Sequence, residues 1–175
     1  MGAESQPMIV LGIDPGTANT GYGVVQRRSG RITALDGGVI TTRPEAPAQI
    51  RLAAIHRRVG DLLDEHNVTC LALEDIFFGQ NAASAFAVGQ ARGAVMTAAG
   101  ERRLEVTSYT PQQIKHAVTG SGRAEKDQVA RMVQMLLKLE APPHPDHAAD
   151  ALAIAICHAN GAPHAAAVAE KRVLV

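Results

Sequence analysis

Neither a net charge, nor a cysteine framework, nor a long apolar run marks this sequence. Seventeen Lys and Arg balance seventeen Asp and Glu across 175 residues. The chain as a whole therefore offers no general attraction to nucleic acid. Its two cysteines, Cys70 and Cys157, sit in separate apolar segments and match no zinc-ligand spacing. Both read as small buried hydrophobes. The longest apolar runs, such as MIVLGI, are far too short to span a membrane, and no basic region followed by a long apolar stretch signals secretion. A cytoplasmic protein with no membrane partner is the expectation.

What is present is a 46% hydrophobic chain of one-domain length, enough to bury about two thirds of its unfolded surface. Residues 1–7 are expected to form a disordered leader, residues 8–160 a single domain, and the alanine-rich residues 161–175 a C-terminal tail. The charge is unevenly spread. From Lys115 to Lys138 there are five basic residues against two acids, which leaves a local basic surface.

The pattern along the chain opens with strands. MIVLGID reads as a buried strand, GYGVVQ as its hairpin partner and RITALDGGVITT as a third. Pro47 to His66 carries apolar residues at helical spacing, CLALED is a short apolar strand ending in acid, and Ala82 to Arg102 is a long helix. On that helix Gly89 and Gly93 stand four apart on one face, which permits close backbone approach. EVTSY is a fifth strand. Thr110, Pro111 and Gln113 spell a capped helix start with a capping box, and a helix over DQVARMVQMLLKL follows the turn GSGRAEK. The order predicts an α/β fold: a mixed five-stranded sheet flanked by helices.

The last helix, in HPDHAADALAIAICHAN, is apolar around most of its circumference yet begins with Asp146, His147 and Asp150. Charge at the mouth of a buried helix must be paired, capped or bound to metal. Asp14 ends the first strand and Glu74 ends CLALE, so three acids each terminate or open a buried element. Each has a plainer reading as turn residue, solvated surface acid or helix cap, with Asp146 the expected N-cap. Taken together they point to a carboxylate cluster, whose hard oxygens suit magnesium or manganese. Two such ions would serve phosphodiester hydrolysis.

Four blocks, GIDPGTANTGYGV, LALEDIFFGQNAASAFAVGQARG, TPQQIKHAVTGSGRAEKDQV and DHAADALAIAICH, resemble in order and separation the RuvC family of Holliday junction resolvases. The resemblance covers roughly Met8 to Asn160. It implies a ribonuclease H-like fold and a homodimer that resolves Holliday junctions by metal-dependent symmetric nicking of two strands. It also implies two Mg2+ or Mn2+ ions per active site, and RuvA and RuvB as partners. The family's catalytic acids fall on Asp14, Glu74 and Asp150. The remaining family position, often aspartate, is His147 here, with Asp146 next door as the competing ligand. Phe77 matches the aromatic at the junction centre. Lys115 and Lys126 match basic residues near the scissile phosphate, and Arg123 joins them on the expected DNA face. The Gly89 and Gly93 face resembles the family's dimer helix.

Three rival readings carry less weight. The actin and heat-shock ATPases share a GIDPGT-like loop but need two related domains. A RuvX-like nuclease shares the fold and the GIDPG start, while the HAAD helix and GSGRAEK favour RuvC. A catalytically silent junction-binding module has no need of Asp14, Glu74 and Asp150.

Overall fold

Strand β1 (Met8–Asp14) runs through the centre of a five-stranded sheet of order β3-β2-β1-β4-β5. It pairs antiparallel with β2 (Asn19–Arg28), which pairs antiparallel with β3 (Arg31–Thr41). On its other side it pairs parallel with β4 (Cys70–Glu74), which pairs parallel with β5 (Glu105–Tyr109). The computed structural model describes residues 6–75 and 82–169, with side chains as far as residue 161. This is the mixed five-stranded sheet that the element order predicts.

Two cores lie on opposite faces, and strand alternation assigns each residue to one of them. Leu11, Ile13, Leu71 and Leu73 point to the face covered by α1 (Ala48–Glu65) and α2 (Ala82–Glu101), where they meet Ile55, Val59, Leu62 and Val95. Val10, Cys70 and Ala72 point to the other face, covered by α3 (Pro111–Thr119), α4 (Lys126–Leu137) and α5 (Asp146–Ala169). Each fully buried Leu or Ile contributes about 1.5–3 kcal/mol by leaving water.

The same alternation places the acids. Asp14 follows Ile13 on β1 and Glu74 follows Leu73 on β4, and Ile13 and Leu73 are partners in the parallel ladder. The two carboxylates therefore leave neighbouring parallel strands at the same end and on the α5 face.

Helix α5 reaches those strand ends because the sheet beneath it lacks side chains. A Cβ on Gly12 would lie 2.6 Å from the Ala155 nitrogen, and one on Gly21 would collide with the His147 carbonyl. Gly21 is the ladder partner of Asp14, so the start of α5 rests directly over the end of β1. The alanines of α5 complete the fit, with Ala151, Ala153 and Ala155 almost wholly buried.

Helix α3 has the expected start. The Thr110 side chain accepts from Gln113 N–H, the Gln113 side chain accepts from Thr110 N–H, and Pro111 is the first helical residue. Helix α5 differs from expectation at its start. It begins at Asp146 itself, and the Pro145 carbonyl accepts from Ala148 and Ala149 N–H. Pro145 thus holds the cap position that the sequence assigned to Asp146.

Candidate metal centre

Asp14, His147 and Asp150 each offer one ligand atom, and the three atoms lie within 4.8 Å of one another. His147 Nδ1 and Asp14 Oδ2 are 2.9 Å apart and share a hydrogen. Helical spacing brings Asp150 onto the His147 side of α5, one turn further along. Asp14 is the best covered of the three, with its side chain 19% exposed against 45% for His147.

Glu74 and Asp150 line a cavity of about 230 Å³ together with Lys115, Lys126 and the apolar side chains of Ile114, Val129 and Ile154. Asp150 belongs to both groupings: it completes the cluster with Asp14 and forms one wall of the cavity. Lys126, the first residue of α4, places Nζ 3.3 Å from Asp150 Oδ2 and 3.4 Å from Asp146 Oδ2. Asp146 is three-quarters exposed and spends its charge on this lysine.

The electrostatics describe a crowded anionic site. Burial pushes the Glu74 carboxyl up to about 7, and repulsion from Asp14 and Asp150 adds to the effect, while Lys115 opposes it. Burial also raises Asp14; the His147 hydrogen bond counteracts it, and Asp150 reinforces it. Lys126 is raised in turn, because the attraction of Asp150 and Asp146 outweighs the desolvation that would lower it. Two carboxyl groups raised by burial and by neighbouring negative charge are what a multivalent cation would relieve.

The donor set fits such a cation. Carboxylate oxygens suit magnesium and manganese, and a single imidazole nitrogen tilts the set toward the softer of the two. Asp14, His147 and Asp150 are grouped as residues that could hold it, and Glu74 lines the cavity that Asp150 also lines.

Of the remaining candidates, Arg123 lies apart from this cavity. It lines an open recess of about 680 Å³ with Gln112, Gln113, His116 and Ser121, running along α3 to the turn that follows it. Phe77 lies outside the described residues. One residue that sequence reasoning passed over is Arg92, whose side chain reaches from α2 to the main chain of Glu74. Its signal was a lone guanidinium inside an otherwise small and apolar helix, AFAVGQARGAVM.

Among the described residues, no helix is long and apolar enough to cross a membrane.

The family model described as crossover junction endodeoxyribonuclease RuvC matches residues 10–158. The crossover junction endodeoxyribonuclease RuvC of Moorella thermoacetica is 49% identical over 156 residues, covering 89% of this chain and 93% of the relative. Thermus thermophilus RuvC, solved in complex with a Holliday junction substrate, superposes with a TM-score of 0.86 at 42% identity, covering 90% of this chain and 96% of that one. A second structure of T. thermophilus RuvC gives a TM-score of 0.83 at the same identity, covering 90% and 97%. The sheet and its helical cover are those of a ribonuclease H-like fold, and the chain belongs to the RuvC family of crossover junction endodeoxyribonucleases.

Proposed function

We propose that this protein resolves Holliday junctions by hydrolysing one phosphodiester bond in each of two symmetric strands, during DNA recombination and repair. The observation that carries the reading is the meeting of Asp14 from β1, Glu74 from β4, and His147 and Asp150 from α5 at one end of the sheet. It occurs in a chain 42% identical to a RuvC whose structure holds a Holliday junction substrate.

Asp14, Glu74, His147 and Asp150 would hold two ions of Mg2+ or Mn2+. When bound, such ions make water a competent nucleophile at neutral pH and stabilise negative charge on the leaving oxygen. The protein's own part is to fix the donors on rigid elements and to supply cations for the phosphates. Lys126 is more than half exposed and paired with carboxylates in the free protein. A phosphate oxygen entering the cavity competes for its ammonium group, while Lys115 stands on the same wall. Arg123 extends the basic surface along α3 and the following turn. Phe77, three residues beyond Glu74 in sequence, is the residue to stack on a base at the crossover.

A homodimer suits a junction with twofold symmetry, since it presents two identical sites. Helix α2 supports that assembly: Phe86, Gly93 and Met96 recur at helical spacing and are exposed, with Phe86 at 69%. RuvA and RuvB are the expected partners, and the cytoplasm, where recombining DNA lies, is the expected location.

The test is to incubate the protein with a fixed and a partly mobile synthetic junction, and with linear duplex of the same sequence, in Mg2+ or Mn2+. Paired nicks at symmetric positions of the junction, with the duplex left intact, are expected. Equal nicking of junction and duplex would reject junction selectivity, and binding without nicking would favour a silent binding module.

A further inference from the structure

We infer that Arg92 is a positioning residue for Glu74, fixing the end of β4 from helix α2 and so setting the affinity of the site for its cation. The inference rests on the reading of Glu74 as a metal ligand.

Glu74 stands at an unsupported strand end. The ladder between β1 and β4 stops at the Ile13 and Leu73 pair, so only β5 accompanies β4 further, through the Glu74 and Tyr109 pair. Asp75 N–H then donates to the Tyr109 carbonyl at 2.8 Å. Arg92 closes the other side. Its Nη1 donates to the Glu74 carbonyl at 2.7 Å and its Nη2 donates to the Ser108 hydroxyl, with Asp75 Oδ1 3.7 Å from Nη2. One guanidinium therefore spans α2, the end of β4 and β5.

The chemistry needs arginine at this place. The planar fork directs two nitrogens at two acceptors on different strands, and its charge is held at a side chain only 16% exposed. A lysine would offer a single point charge and could satisfy one acceptor at a time. Moving the main chain of Glu74 by a fraction of an ångström moves its carboxylate relative to Asp14 and Asp150, and donor sets for small divalent cations tolerate little displacement. Arg92 touches neither substrate nor the reacting atoms.

Binding of Mn2+ to the full-length protein, followed by loss of the free-ion paramagnetic resonance signal, separates this role from a general structural one. Arg92→Lys is expected to keep the wild-type melting temperature and junction affinity while its Mn2+ affinity falls about tenfold, as removal of groups that orient ligands commonly does. Glu74→Gln is expected to weaken Mn2+ binding too, and the double variant to bind no more weakly than Glu74→Gln alone. Wild-type Mn2+ affinity in Arg92→Lys, or losses that multiply in the double variant, would overturn the inference while leaving Glu74 as a ligand. Wild-type affinity in Glu74→Gln would remove the ligand reading itself, and the inference with it. Should Arg92→Lys fail to fold, Ser108→Ala frees the guanidinium from β5 alone. Weaker Mn2+ binding at unchanged melting temperature is expected there, and unchanged binding would count against the inference.

Discussion

His147 Nδ1 and Asp14 Oδ2 stand 2.9 Å apart, joining the first turn of α5 to the last residue of β1 across 133 positions of sequence. The hydrogen bond holds together two of the three residues that could serve a cation. In the free protein the bridge holds the ring beside the carboxylate, and any atom that is to serve as a ligand would have to be free of its proton.

With His147 proposed as a ligand, the imidazole should set the choice of metal. A neutral nitrogen in place of a carboxylate oxygen disfavours Mg2+ more than Mn2+. Cleavage is expected to be stronger in Mn2+, with His147→Asp shifting the preference toward Mg2+. Asp146, exposed and paired with Lys126, should tolerate replacement by Asn with a change of about threefold or less, in keeping with the small worth of exposed ion pairs. Loss of activity in Asp146→Asn together with wild-type rate and metal preference in His147→Ala would make the neighbouring carboxylate the ligand.

Glu74 should make the metal-free protein less stable as pH rises. Its folded value of about 7 lies above the ordinary 4.5. Its favourable contribution is therefore complete below about pH 4.5 and lost as pH climbs through 7; Asp14, also raised, acts in the same direction. Glu74→Gln removes the charge and should stabilise the metal-free protein at pH 8 by about 1–2 kcal/mol, or roughly 3–8 °C in melting temperature. At pH 5 that difference should nearly vanish. Titrating wild-type protein with Mn2+ at pH 7 should release about half a proton from Glu74, read by calorimetry in buffers of different ionisation enthalpy. A melting temperature for Glu74→Gln no higher than wild type at pH 8 would contradict the burial of this charge.

The fold was largely legible because its signals are local. Short apolar runs in MIVLGID and CLALE marked the strands, and Thr110, Pro111 and Gln113 marked the start of α3. The acids were legible because each interrupts an apolar run. The His147 and Asp14 bridge was not, since it depends on how closely α5 approaches β1, and no spacing in the sequence measures that. Arg92 escaped for a similar reason: its acceptors are a main-chain carbonyl and a hydroxyl on two other strands. The N-cap of α5 was misread because aspartate before an apolar run usually caps, whereas here Lys126 from another helix takes its charge.

Gly21→Ala tests the close approach of α5 to the sheet. The added methyl group would meet the His147 carbonyl, which is main chain and cannot swing aside. The start of α5 must shift, carrying His147 and Asp150 away from Asp14. The expected outcome is loss of cleavage by a factor of about 100 or more, as ångström-scale misplacement of catalytic groups produces, with the protein still folded by circular dichroism. Full activity in this variant would mean that the site does not need the helix where it lies.

Lys126→Ala should separate DNA contact from metal binding. Removing one phosphate contact is expected to reduce the salt dependence of junction binding by about one unit of log slope. An unchanged slope, measured by fluorescence anisotropy over a range of salt, would confine Lys126 to its carboxylate partners.

The most direct test of the metal-site account is nicking of a synthetic four-way junction by Asp14→Asn, measured alongside junction binding in the same buffer with Mn2+. Asp14 is the part-buried carboxylate that touches His147, so the variant should lose nearly all cleavage while binding the junction as tightly as wild type or tighter, because one negative charge facing the phosphates is gone. Near wild-type nicking by Asp14→Asn would contradict the assignment of this site.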